Sequence, residues 1–81
     1  MTNTKLLKQK IMESGLKNKY LASACGITER TFTNKLYGKT PFVQDEILVL
    51  RNLLHLTDDE LTAIFFAEMV EESSTEEVVN G

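Results

Sequence analysis

The chain is poor in the residues that most chemistry needs. Its 81 residues include one cysteine, one proline and one histidine. A lone cysteine, Cys25, cannot close an internal disulfide. With a single His, a single Cys and no carboxylates clustered near them, no metal site is expected. No nucleophile–base pair, glycine-rich phosphate loop or buried carboxylate pair can be assembled, so neither catalysis nor a cofactor is expected. No apolar run approaches the roughly 18 residues that span a bilayer. Residues 1–12, MTNTKLLKQKIM, lack the apolar stretch and cleavage site of a signal peptide. The expectation is a cytoplasmic protein with no membrane partner and no small-molecule ligand. Residues 57–81 also lack any Lys or Arg.

What remains fits one small domain with a modest core, 42% of residues being hydrophobic. The net charge of −3 argues by itself against a polyanionic partner, yet the charge is divided. Residues 1–40 hold seven Lys and Arg30 against Glu13 and Glu29, a net +6. Residues 57–81 hold eight acids, a net −8. Such asymmetry suggests a half that faces a polyanion and a solubilising or competing acidic tail. The alternative is a solvated surface that is merely uneven.

Periodicity and capping signals divide the chain into five short helices and no strand. The first is predicted over about Thr4–Ser14, with Asn3 or Thr4 as N-cap and Gly15 as terminator. Leu7 and Ile11 form its inner face. The second runs from about Asn18 to Cys25, with Leu21 and Cys25 at i, i+4 and Ala22 small enough to admit another helix. Gly26 supplies the positive φ of a sharp exit. Thr28 then caps a third helix, roughly Glu29–Tyr37, ended by Gly38. Phe32 and Leu36 face inward there, whereas Arg30, Thr33, Asn34 and Tyr37 fall on a face with no aliphatic residue. Pro41 reads as a loop residue or the first turn of helix four. That helix, about Val43–His55, carries Val43, Ile47, Leu50 and Leu54 at helical spacing and is expected at the centre of the core. Thr57 and Glu60 match a capping box opening helix five, in which Leu61, Phe65 and Met69 make one stripe beside Ile64. Beyond about residue 71, EESSTEEVVNG is acidic and expected to be disordered or frayed.

With the helices placed, residues 15–38, GLKNKYLASACGITERTFTNKLYG, resemble the helix-turn-helix of phage repressor and Cro-type regulators, the XRE family. The matching features are Gly15-Leu16, Leu21-Ala22, Gly26-Ile27-Thr28, Phe32 and Gly38-Lys39. Helices four and five extend the resemblance over roughly residues 4–70. ITERTFTNKLYGKTPF and the Ile-Phe-Phe ending look most like short Cro-like proteins of phages and prophages in Gram-positive bacteria. The resemblance implies a compact five-helix, lambda-repressor-like DNA-binding domain over residues 1–70, followed by the acidic tail at 71–81. It departs from the family at Lys17 and Tyr20, where relatives usually carry Thr or Ser and Glu, so Asn18 takes over the cap or the helix start is weakly capped. It departs again at Leu36, where relatives often carry Glu.

The family geometry puts the third helix in the major groove. It maps base contacts to Glu29, Arg30, Thr33 and Asn34. Arg30 suits guanine O6 and N7, Asn34 adenine N6 and N7, and the Thr33 methyl a thymine methyl. Glu29 either accepts from cytosine N4 or favours the positive helix N-terminus. Phosphate contacts are expected from Asn18 and Lys19, where helix two starts, then from Lys35 and Lys39, with Lys5, Lys10 and Lys17 more distant. Tyr37 is either a hydroxyl donor to phosphate or a ring packed over the helix end. The expected partner is a double-stranded operator, bound as a symmetric homodimer on a pseudo-palindrome. The dimer surface is expected at Ile64, Phe65, Phe66 and Met69, with Phe66 either an exposed anchor or folded back on helix one or four. The alternative function is a protein-interaction module of the same fold, an antirepressor or antitoxin-like partner.

Overall fold

The structure, a computed structural model, describes residues 2–66. Those residues form five α-helices and no strand: α1 Thr4–Ser14, α2 Asn18–Ala24, α3 Glu29–Leu36, α4 Gln44–Leu53 and α5 Asp58–Phe65. Met69 and the acidic residues 71–81 lie outside the described residues. No described helix is long and apolar enough to cross a membrane.

The helix starts follow side-chain chemistry. Asn3 Oδ1 accepts from the Leu6 amide at 3.1 Å, and Thr28 Oγ1 accepts from the Thr31 amide at 3.1 Å. Each satisfies one of the donors a helix start leaves open. Thr57 and Glu60 make the reciprocal box: the Glu60 amide donates to Thr57 Oγ1 at 3.1 Å and the Thr57 amide to Glu60 Oε1 at 2.9 Å. α2 lacks such a cap, because Lys17 sits extended at its N-cap position and its side chain makes no capping bond.

Three helices end in one recurrent arrangement, in which the residue after the cap turns left-handed and the amide of the residue following it reaches back to the last turn. After α2, Gly26 (φ +74°) donates to Ser23 O and Ile27 to Ala22 O, at 3.0 and 3.1 Å. After α3, Gly38 (φ +81°) donates to Lys35 O and Lys39 to Asn34 O. After α4 the left-handed position belongs to His55, φ +52°, and the Leu56 amide donates to Arg51 O. This is the Schellman closure, which favours Gly or Asn at that point. His55 adopts it without the glycine's freedom.

The core joins all five helices. Leu7, Ile11, Leu21, Ala22, Phe32, Leu36, Phe42, Leu50, Leu54, Leu56, Ile64 and Phe65 are buried together. Phe42 is central among the aromatics, with its ring edge-on to Phe32 at 5.9 Å and to Phe65 at 5.8 Å. Two ties fix the outer helices: the Asn3 amide donates to Ile64 O at 2.6 Å, and Lys10 pairs with Glu60 across α1 and α5.

Of the two readings of Pro41 the loop holds, because α4 begins three residues later at Gln44; two other expectations change. Residues 41–43 are therefore non-helical, and with side chains alternating along extended chain, Phe42 turns inward while Val43 is 53% exposed. Val43 thus does not belong to the core, and Phe42 takes its place. Ile64 and Phe65 are 0% and 8% exposed. They are core residues of the domain and are spent before any second molecule arrives.

Candidate functional site

α2 packs more extensively on α3 than on any other helix. The closure at Gly26 and the cap at Thr28 leave a short, well-bonded corner between them. With Phe32 and Leu36 buried, α3 has one rotational setting, and its other side is turned to solvent. Glu29 and Arg30 are exposed at the front of that side, Thr33 and Asn34 are half-buried behind them, and Tyr37 at the end is exposed. The sequence-predicted set Glu29, Arg30, Thr33 and Asn34 is thereby brought onto one side of the helix, with Glu29 and Arg30 the exposed members. Thr28 and Thr31 hydroxyls bond one another at 2.9 Å beside it, stiffening the first turn.

The flanking residues divide. Lys19 and Lys39 are exposed and Asn18 is half-buried. Among the described residues, Lys17, Lys19, Arg30 and Lys39 form no ion pair. Tyr37 resolves between its two alternatives in an unexpected way: its ring is exposed, and the Lys8 ammonium lies 4.0 Å from the ring centroid. That is cation–π distance, and Tyr37 as a whole remains 63% exposed.

Lys35 is corrected. Its ammonium is 2.6 and 2.7 Å from the two carboxylate oxygens of Glu46, with side chains only 11% and 6% exposed. Glu46 Oε1 also accepts from the Val43 amide at 2.9 Å. One buried carboxylate thus caps α4 and holds the last turn of α3, and Lys35 is occupied rather than offered to a phosphate. Sequence reasoning missed Glu46, although its place was signalled: it stands three residues past Val43, as Glu60 stands three past Thr57.

Lys10 has likewise been drawn inward, toward Glu60 and Glu13. Its hydrogen bond with Glu60 raises its pKa above the ordinary lysine value despite partial desolvation, and the same bond lowers that of Glu60, helped by the Thr57 amide. Cys25 is half-buried, and burial first, then the Glu46 charge, pushes its thiol up, with Lys35 opposing. A thiol held protonated is a poor nucleophile. His55 is exposed at the α4 exit, and among the described residues no three His, Cys, Asp or Glu side chains group as metal ligands.

Phe66 is 37% exposed and borders, with Ile47, Leu48 and Leu61, an open apolar groove of about 450 Å³. Comparison with family models, with curated proteins and with solved structures gave no match to this chain. The functional case rests on the residues themselves.

Proposed function

We propose that the protein is a sequence-specific regulator that binds double-stranded DNA through α3. In this reading α2, the Gly26 corner and α3 form the helix-turn-helix of a lambda-repressor-like domain, and the chain is Cro-like or repressor-like in role. The observation that carries it is the outer face of α3. Arg30 and Glu29 are exposed there, Thr33 and Asn34 follow one turn behind, and Lys19 and Lys39 are exposed beside it with no ion pair among the described residues.

The chemistry follows from placement. Arg30 offers two parallel donors to guanine O6 and N7, and Asn34 a donor and an acceptor to adenine, each such pair discriminating by about 1–3 kcal/mol. Lys19 and Lys39 contribute sequence-independent attraction, which weakens as salt rises because the counterions their binding releases from the DNA gain less entropy. Glu29, in the first turn of α3, both favours the helix dipole and repels phosphate, so it restrains where the backbone can lie.

One eight-residue helix reads few base pairs, and specific binding calls for a second copy on an adjacent half-site. With Ile64 and Phe65 buried and Met69 outside the described residues, the described residues that remain for such a contact are Phe66 and its neighbours Leu48, Ile47 and Leu61. Selecting bound sites from random duplex DNA tests the reading: it yields a two-fold symmetric consensus with half-sites about one helical turn apart. Recovery of no consensus, together with no salt-sensitive duplex binding at low ionic strength, refutes it.

A further inference from the structure

The fold brings the acidic stretch of the chain to its most basic neighbourhood. The segment that follows Phe66, AEMVEESSTEEVVNG, holds Glu68, Glu71, Glu72, Glu76 and Glu77 and no Lys or Arg. It lies outside the described residues, but contacts fix where it departs. Two residues before Phe66, Ile64 O accepts from the Asn3 amide at 2.6 Å, so α5 ends beside the start of α1. Thr4, the first residue of α1, has its methyl 3.9 Å from where a side chain on Gly38 would begin. The start of α1 therefore lies in turn against the α3 exit. Phe66 itself shares a groove with Gln44, the first residue of α4.

The surroundings of that departure point are of one sign. Residues 1–12 carry Lys5, Lys8 and Lys10, residues 30–44 carry Arg30, Lys35 and Lys39, and neither stretch contains an acid. Lys10 and Lys35 are taken by Glu60 and Glu46. Lys5 and Lys39 are exposed, Lys8 lies over the Tyr37 ring, and none of the three forms an ion pair among the described residues. Asp45 in the first turn of α4 is the first acid after Glu29 and is exposed, a single carboxylate against three ammonium groups.

We propose that residues 68–77 are an internal competitor for DNA: in the free protein their carboxylates pair with Lys5, Lys8 and Lys39, and a bound duplex displaces them. This regulation rests on the DNA-binding reading of α3 and deepens it. Reach is sufficient, since the five residues from Phe66 to Glu71 span up to about 17 Å and the eleven to Glu77 up to about 37 Å. An exposed ion pair is weak on its own. Tethering over so short a length supplies an effective concentration in the millimolar range, which populates several such pairs together. The paired form must open before any duplex binds, so affinity for every duplex falls by one common factor and selectivity is untouched. Salt screens the pairs and relieves the competition.

The test uses the full chain, a duplex selected from a random pool and a random duplex. Replacing Glu71, Glu72, Glu76 and Glu77 by Gln tightens both duplexes about 3- to 10-fold at low salt and leaves their ratio unchanged. The gain vanishes at high salt, so the variant has the steeper salt slope. In a Lys5→Gln, Lys8→Gln, Lys39→Gln background the same four replacements add little, because the pairs they would remove are already absent. In the free parent protein a carbodiimide, which joins carboxylate to amine in direct contact, links residues 68–77 to Lys5, Lys8 or Lys39. Those links form within one chain at a yield independent of protein concentration, and high salt suppresses them. A gain that persists undiminished in the triple-lysine background is an effect of net charge alone and overturns the pairing. Links spread equally over Lys17 and Lys19, links found only between two chains, or an unaltered affinity in the four-glutamine variant overturn it too. Each of these leaves the DNA reading standing. Absence of duplex binding by parent and variant alike removes that reading and the competitor with it.

Discussion

Replacing Lys35 by Met removes a buried cation while keeping most of its apolar stem. The ammonium stands 2.6 and 2.7 Å from the Glu46 oxygens, and both side chains are almost wholly covered. At an effective dielectric of about 20, two unit charges at that distance attract by about 6 kcal/mol. Desolvation takes back several, so the pair's net worth is small, but breaking it strands a carboxylate that keeps only the Val43 amide. The expected loss is about 3 kcal/mol, against a total on the order of 5 for a domain this size. That corresponds to a fall of about 12 °C or more in Tm. Urea unfolding followed by circular dichroism measures it. Lys35→Met with Glu46→Gln should recover much of the loss, since Gln keeps an acceptor for Val43 and neither charge is left alone. If Lys35→Met folds as stably as the parent and instead lowers the salt slope of DNA binding by about one, Lys35 is a phosphate ligand and the buried-pair account is wrong.

Other perturbations follow from the helix ends and the core. His55→Gly should stabilise by about 1 kcal/mol, because a non-glycine side chain is held at φ +52°; an unchanged or lower midpoint in urea contradicts this. Lys17→Ser should add about 1 kcal/mol by supplying the cap that α2 lacks, read from the same transition. Phe42→Ala should cost about 3–5 kcal/mol by emptying the space between Phe32 and Phe65. Glu60, with its pKa lowered by Lys10, contributes stability that is complete above its unfolded value, about 4.3, and is lost as pH falls through the lower folded value. Lys10, raised by the same bond, contributes below its unfolded value, about 10.4, and loses this as pH rises through the folded one. Lys10→Met should therefore flatten the acid limb of the stability profile, and an unaltered limb would show the bond to be unimportant.

The spans of the helices were legible because they are set by local chemistry. Asn3, Thr28 and the Thr57–Glu60 box start helices through bonds over three residues, and Gly15, Gly26 and Gly38 supply the positive φ that stops them. The outer face of α3 was legible for the same reason, since Phe32 and Leu36 fix its rotation. What escaped depends on contacts distant in sequence or on chain direction outside the helices. Val43 continues the apolar period of α4 backward by one turn, but the helix has not begun there, so Phe42 fills the core instead. Charge counts treated Lys10 and Lys35 as available, whereas Glu60 and Glu46 reach them across 50 and 11 residues. Ile64 and Phe65 looked like a surface for a partner because three apolar residues stand in a row; the core takes the first two and leaves Phe66.

The central claim is that α3 reads base sequence. It is tested most directly by the affinity ratio between the selected duplex and a random duplex for the parent, Arg30→Ala and Lys19→Ala proteins at one fixed salt concentration. The account predicts that Arg30→Ala brings the ratio down by about 10-fold or more, whereas Lys19→Ala weakens both duplexes and keeps it. A ratio that survives Arg30→Ala would contradict the claim.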